Sequence, residues 1–530
     1  GKIKGVKNGT LKTDSVQIKW NKLTGATNYQ IYRYDSAKKK YVKLKTVSSS
    51  KSSYTDKKRE VENGVSLIVK GLNDFGIEID EGMLSETDEK GAYGPYTQSK
   101  RKDIYQAYVK SLVEQGLAYP CFMTEEELAT IREKQESEKL LPGVYGEFAK
   151  YRDITVEEAQ KRIENGDEYV VRLKSPGKED KRIKFKDVIK GEIEMPENIL
   201  DVVLLKKDGT PTYHFAHVVD DHLMRTTHVI RGDEWISSVP IHLQLFWLCG
   251  LKPPKYAHIS PIMKEENGGK RKLSKRKDPE AAVSYYSEVG YPKGAIWEYL
   301  MTLANSNYED WRLANPNEDI DNFKFSFSKM SKAGALFDMV KLADVSKNYI
   351  CRLSAEEVYE MVTDWAKENN KKLYKLLVDD EEYAKAIFAI ERGNAKPRKD
   401  ISAWTDVENY VSYFYSELWD RKFDFPDNLS NDDMIEILEL YKQIYDENVS
   451  SDDWFPQVRD MAETIGYAKA PKVYKKDPDS YKGHVGDVAG VIRVAATGRR
   501  NTPDLYEILQ VLGKDEVMKR FDEAIESLRG

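Results

Sequence analysis

Gly268-Gly269-Lys270-Arg271-Lys272-Leu273-Ser274-Lys275-Arg276-Lys277 sets six basic side chains in ten positions, directly behind a glycine pair. Upstream, Thr212-Tyr213-His214-Phe215-Ala216-His217-Val218-Val219 runs into the acidic pair Asp220-Asp221. Val229-Ile230-Arg231-Gly232-Asp233-Glu234-Trp235 comes next. Six of the 7 histidines fall between His214 and His258. Ionisable groups gathered this way within residues 210–277 mark a site rather than a solvated surface. The 212–219 run predicts a strand, with Tyr213, Phe215 and His217 on one face and His214 on the other.

Each cluster has a chemical reading and a bland one. The lysines around Leu273-Ser274 form a mobile positive arm suited to charge building on β- and γ-phosphates; the alternative is a solvated loop or a nucleic-acid patch. Arg231 and Glu234 beside Trp235 offer a two-pronged carboxylate clamp; the alternative is a buried Arg–Glu ion pair. His214, His217 and His222 with Asp220 and Asp221 have ligand chemistry, but a strand does not converge them, so no metal site is expected. Lys329-Met330-Ser331-Lys332-Ala333 spells a second lysine loop without the preceding strand and glycine turn. It is read as structural.

At 530 residues, three to four domains are expected. A net charge of −6 argues against blanket nucleic-acid affinity, though not against local basic patches. Neither a membrane span nor a signal-peptide h-region is visible. The 3 cysteines, Cys121, Cys249 and Cys351, imply neither a disulfide framework nor a zinc site. A reducing cytoplasm is expected.

Residues 1–54 alternate at Val16–Trp20, Tyr29–Tyr34 and Tyr41–Val47, predicting a half-buried antiparallel sheet. Val61, Val65, Ile68, Val69 and Leu72 predict a helix, and Phe75–Gly82 a short extended stretch. Ile104, Tyr108 and Leu112 predict a helix ending at Gly116. Thr124 with Glu127, and Thr155 with Glu158, read as capping boxes. Tyr169–Leu173 and Asp201–Leu205 read as strands. Beyond Lys277 the pattern is helical, with Thr502-Pro503 expected as N-cap and N1 of a helix closed by Gly513.

Tyr93-Gly94-Pro95-Tyr96-Thr97-Gln98-Ser99, Pro211–Asp221, Val229–Trp235 and Lys272–Arg276, in that order, resemble bacterial glutamyl-tRNA synthetase, a class I aminoacyl-tRNA synthetase. Trp20, Gly25–Arg33 and Ser53–Asp56 resemble a fibronectin type III domain, of which too few strands are present, so a fragment is expected. The resemblance implies a multidomain α/β plus all-α chain. Residues 1–54 would be the fibronectin-like fragment and 55–100 the first, truncated part of a Rossmann-type catalytic domain. Residues 101–205 would be an α/β insertion gripping the tRNA acceptor end, and 206–280 the rest of the catalytic domain. Residues 281–350 would be a stem-contact helical region and 351–530 an anticodon-binding helical region.

The implied reaction joins glutamate to the 3′ end of tRNA(Glu), and possibly tRNA(Gln), with ATP and Mg2+ as the substrate complex and a monomeric enzyme. Arg231 would hold the glutamate side chain, with Tyr213 and His217 lining its pocket. Glu234 and Trp235 would contact adenosine. Lys272, Ser274 and Lys275 would hold the phosphates, the two lysines acting catalytically. Arg392, Lys396, Arg398, Lys399, Arg499 and Arg500 are the expected tRNA phosphate contacts. The family's His-Ile-Gly-His-type signature has no counterpart here; only Thr55–Glu60 resembles the tail of its next segment. Each missing electrostatic contact of this kind costs ~3–4 kcal/mol of transition-state stabilisation, so impaired adenylation is expected. The alternatives are a catalytically silent tRNA-binding protein and a chimera without function.

Overall fold

The structure is a computed structural model that describes residues 7–12, 15–19, 27–35, 40–50, 52–56, 64–274 and 276–530. Trp20, Gly25, Ala26, Lys57–Glu60, Val61 and Lys275 lie outside the described residues. The chain divides into two units. One holds Gly1–Asp187, Gly191–Ile230 and Glu234–Tyr256; the other holds Val188–Lys190, Arg231–Asp233 and Ala257–Gly530.

The first unit begins with the alternating segments, which pair as strands. Lys7–Lys12, Ser15–Lys19 and Ser53–Asp56 form an antiparallel sheet in that order, and Asn28–Asp35 pairs with Lys40–Ser48. Tyr29 and Ile31, two positions apart, are buried, as a strand period of two requires. The helix Gly64–Asp74 follows, burying Val69 and leaving Ile68 exposed. Of the extended stretch expected at 75–82, Phe75-Gly76 is a turn closed by Gly76 N–H to Asn73 O, and 77–81 carries no regular structure. Only Gly82–Met83 is strand, paired with Glu89–Lys90.

The core of this unit is built on Tyr105, Val109 and Leu112 of the helix Lys102–Glu114. It packs with Phe215, Ala216, Val218, Val219, Leu245 and Phe246. Leu173, Leu204 and Leu205 enter the same core from an antiparallel sheet in the order Val203–Leu205, Val170–Leu173, Ala118–Cys121. Thr124 and Glu127 close a full capping box, whereas Thr155 supplies only the N-cap half at Glu158. In a four-stranded sheet that also holds Gly191–Pro196 and His228–Gly232, Arg182–Asp187 pairs parallel with Lys255–Ile259 through Asp187 and Tyr256.

The 212–219 run is a correction. It opens the α-helix Tyr213–Leu223, not a strand. The buried set Phe215, Ala216, Val218 and Val219 is the stripe a helix buries, and packing against the Lys102–Glu114 helix outweighs the strand preference of the valine pair. The face assignment made for a strand therefore falls.

In the second unit, residues 281–530 carry helices and no strand. From Ile350 to Leu528 they share one apolar core, which includes Val488, Val491, Ile492 and Ala495. The Thr502–Pro503 cap is a second correction. Helix Leu505–Leu512 is capped by Asp504, whose carboxylate accepts from Glu507 N–H at 3.0 Å, and Gly513 ends it. Thr502 instead takes hydrogen bonds from Arg493. No helix among the described residues is long and apolar enough to cross a membrane.

Asp201, 1% exposed, ties the three-stranded sheet to the loops around it. It pairs with Arg152, takes the Tyr119 hydroxyl at 2.9 Å and the Ser175 N–H at 2.8 Å. Removing one partner from a buried charge pair costs ~3–5 kcal/mol. Asp201→Ala is therefore expected to speed amide hydrogen exchange in Ala118–Cys121 and Val170–Leu173 by about 100-fold or more. Unchanged protection there would show that Asp201 holds nothing.

Candidate active site

In the first unit, turning 212–219 into a helix brings its polar side chains together. The Tyr213 ring lies 4.5 Å from Trp235 and parallel to His217 at 6.0 Å. His217 Nε2 is 3.1 Å from the Tyr256 hydroxyl, and its Nδ1 is 2.7 Å from Asp221 Oδ2, a spacing of four residues on one helical face. His214 Nδ1 meets Nε2 of the fully buried His242 at 3.0 Å, so one of the two imidazoles donates and the other accepts. Tyr213, His217 and Trp235 thus form one aromatic cluster. Glu234 stands beside Trp235 in the same turn, Asp233–Ser238.

The next residues of the helix explain what fastens the Tyr93–Ser99 stretch. Asp220 accepts from Arg101 Nε at 2.8 Å and from the Tyr105 hydroxyl at 2.7 Å. Arg101, 2% exposed, also donates to Pro95 O at 3.0 Å and Tyr93 O at 3.3 Å. Burial pushes the Asp220 carboxyl up from its ordinary value, against the pull of Tyr105 and Arg101. Burial also raises the Tyr105 phenol, and the adjoining Asp220 adds to it. The sequence reading missed this triad, although Asp220 was in view as half of an acidic pair.

In the second unit, Arg231 Nε donates to Nε2 of the fully buried His258 at 3.1 Å. The accepting Nε2 places the His258 proton on Nδ1. Two residues on, Asp233 accepts from Ser260 Oγ at 3.0 Å and Lys190 Nζ at 3.1 Å. Burial opposes the charge, yet Lys190 and Ser260 hold the Asp233 carboxyl below its ordinary value. Lys190 and Ser260 both also reach Lys332 O. Within Lys329–Ala333, the Lys332 carbonyl thus takes a place in this hydrogen-bond network.

The basic loop is the third correction. Its first half is a strand of a β-hairpin, where the sequence suggested a loop throughout: Met263–Glu266 pairs antiparallel with Gly269–Lys272, and Leu273 and Ser274 lie beyond the strand. Asn267 and Gly268 turn between them at φ 52° and 76°, the two left-handed positions of a tight hairpin turn. The far side of Met263 is paired as well, accepting from Phe337 N–H at 2.7 Å and donating to Ala335 O at 2.8 Å. Gly334 permits this contact, because a Cβ there would come within 2.4 Å of Pro261 O and Met263 Cγ. Lys272 is exposed and ends the strand, Ser274 follows, and Lys275 is outside the described residues.

The expected tRNA contacts differ among themselves. Arg392 is committed to the main chain, donating to Phe388 O, Ile350 O and Leu353 O, and burial lowers its pKa. Arg398 makes a two-pronged bond to Asp400 at 2.7 and 3.0 Å. Arg499 donates to Asn409 and Ser412 at 2.8 Å each and covers the Tyr413 ring. Arg500 reaches Asp424 O at 2.9 Å and Phe425 O. Lys396 and Lys399 are exposed.

The aromatic helix face, the clamped arginine and the lysine hairpin are parts of a known catalytic domain. The description "tRNA synthetases class I (E and Q), catalytic domain" matches residues 53–344, and "Anticodon binding domain" matches 479–525. A glutamate–tRNA ligase of Clostridium perfringens is 54% identical over 471 residues, covering 88% of this chain and 85% of that protein. One from Clostridium beijerinckii is 50% identical over 474 residues, covering 88% and 86%. The crystal structure of a glutamate tRNA ligase from Elizabethkingia meningosepticum, in complex with its amino acid, matches with a TM-score of 0.66 at 28% identity. That match covers 87% of this chain and 89% of that one. The fold is thus that of a class I synthetase, a Rossmann-like catalytic domain followed by a helical anticodon domain. The chain belongs to the glutamate–tRNA ligase family. The readings as a silent tRNA-binding protein or a functionless chimera draw no support from these similarities.

The hairpin turn gives a direct check on its geometry. Gly268 has open space around it, so Gly268→Ala meets only the backbone penalty of the left-handed region, about 1–2 kcal/mol. Amides of Gly269–Lys272 are expected to exchange about 5- to 30-fold faster, and Gly268→Asn to fall between. Equal rates for all three would contradict the turn.

Proposed function

We propose that this chain activates L-glutamate with ATP and transfers it to tRNA(Glu). The observation that carries the reading is the 54% identity to a glutamate–tRNA ligase over 88% of the chain. In the first step a glutamate α-carboxylate oxygen attacks the α-phosphorus of ATP, supplied as its Mg2+ complex. The bond to the β-phosphate breaks and pyrophosphate leaves. In the second step a hydroxyl of the tRNA's terminal ribose attacks the acyl carbon, its proton is released, and AMP departs.

Arg231 holds the glutamate side-chain carboxylate, its guanidinium plane oriented by the bond from Nε to His258. Tyr213 and His217 line the amino-acid pocket. Glu234 and Trp235 contact adenosine, the indole as a stacking surface. Lys272, Ser274 and Lys275 neutralise charge on the leaving pyrophosphate, which is where such donors act most strongly in the transition state. Of the tRNA contacts, exposed Lys396 and Lys399 have their charge available for phosphates. Arg392 acts by bracing the helix ends beside them. Residues 101–205 grip the acceptor end, and tRNA(Gln) is a second substrate to test.

Residues 1–54 are read as a fibronectin type III-like fragment. The three-stranded sheet and the hairpin support this, as does the start of the catalytic match at residue 53. The enzyme is placed in the cytoplasm as a monomer.

ATP–pyrophosphate exchange by the full chain, with tRNA present, tests the reading. Exchange is expected with glutamate and not with glutamine. No exchange from a folded sample would overturn it. Arg231→Lys keeps the charge and loses the fork, so the glutamate KM is expected to rise about 100-fold with kcat less affected, since the contact is made in ground and transition states alike.

A further inference from the structure

The segment after the lysine strand turns back at once. Lys277 N–H and Asp278 N–H both donate to Ser274 O, at 3.0 and 2.8 Å. The return delivers the Asp278 side chain, 2% exposed, to the strand it has just left. Its oxygens accept from Arg271 Nη1 at 2.6 Å and Nη2 at 2.7 Å, and from the Ser274 N–H at 2.9 Å. Lys264 Nζ, on the opposite strand, lies 3.3 Å away and also pairs with buried Glu280. One carboxylate therefore holds both strands of the hairpin and the main chain beyond them.

The strand period makes this consequential. Side chains alternate faces, so drawing Arg271 toward Asp278 sends Lys270 and Lys272 to the other face, where both are exposed. The bond to the Ser274 amide fixes the main chain two residues further on. Arg271 is itself held by Glu266 at 2.8 Å, so its fork is oriented from two sides. Asp278 and Arg271 hold the charges on one face of the hairpin together, and Lys270 and Lys272 stand exposed on the other.

We propose that Asp278 is a positioning residue for adenylate formation: through Arg271, Lys264 and the Ser274 amide it fixes the direction in which Lys272 and Ser274 face the pyrophosphate, without touching substrate. This rests on the reading of Lys272 and Ser274 as phosphate contacts. An asparagine at 278 is not equivalent, because its amide NH2 would oppose the Arg271 donors.

The test compares wild type, Asp278→Ala, Asp278→Asn and Arg271→Met in the full chain, by amide hydrogen exchange and by tRNA-supported ATP–pyrophosphate exchange. In Asp278→Ala the amides of Ser274, Lys277 and Asp278 are expected to exchange about 30-fold faster, as for loss of a charge-assisted hydrogen bond. The kcat of pyrophosphate exchange is expected to fall about 100-fold, with the glutamate KM within about three-fold of wild type. Asp278→Asn and Arg271→Met should each fall about ten-fold, and they decide the matter if Asp278→Ala does not fold. Unchanged kcat, or a loss of kcat with Ser274, Lys277 and Asp278 still protected, overturns the proposal. A wild-type chain without glutamate-dependent exchange defeats the ligase reading instead, while the amide exchange contrast still decides whether Asp278 braces the loop.

Discussion

A carboxylate taken out of water must be met by donors, and three buried or half-buried aspartates tie loops of this chain to its helices and strands. Asp201 joins Arg152, Tyr119 and the Ser175 amide around the three-stranded sheet. Asp220 joins Arg101 and Tyr105, and through Arg101 the main chain of Tyr93 and Pro95. Asp278 joins Arg271, Lys264 and the Ser274 amide. In each case a side chain binds a loop that has no regular structure of its own to a helix, strand or hairpin that has. Loops fixed this way can carry donors at set positions, which an exposed loop cannot do.

The helical half obeys the same constraint with the signs reversed. Arg392, Arg493 and Arg520 are largely buried cations, each held mainly by main-chain carbonyls or by one partner. Arg520 donates to Ala496 O at 2.6 Å and Glu516 at 2.8 Å. Burial lowers the pKa of all three. A helix leaves its last carbonyls without partners, and a buried arginine can satisfy several at once. A basic residue in an anticodon-type domain is thus as readily a helix brace as a phosphate contact, and sequence alone does not separate the two roles. Burial does.

Motif order and residue type were legible in the sequence. The stretches Tyr93–Ser99, Pro211–Asp221, Val229–Trp235 and Lys272–Arg276, in that order, carried the resemblance to the family, which the similarity to known ligases bears out. Local signals with a unique geometry also read correctly: the Thr124–Glu127 capping box and the closing Gly513. Where one local pattern serves two structures, the reading failed. Tyr213–Val219 alternates like a strand and buries a helical stripe; only the neighbouring Lys102–Glu114 helix decides between them. Asn267-Gly268 was itself a hairpin signal, hidden by the charge that follows it. His258 and Asp278 were not legible at all, since their importance lies in which side chain they meet after folding.

Formation of a glutamyl ester on tRNA is the chemical event to which these parts contribute. Incubating the full chain with ATP, Mg2+, glutamate and bulk bacterial tRNA, then identifying the amino acid released from the tRNA by mild base, tests that most directly. Glutamate released from tRNA(Glu), dependent on ATP and absent when Lys272→Ala replaces the wild type, is the expected result. Intact, folded protein that leaves the tRNA uncharged would contradict the account.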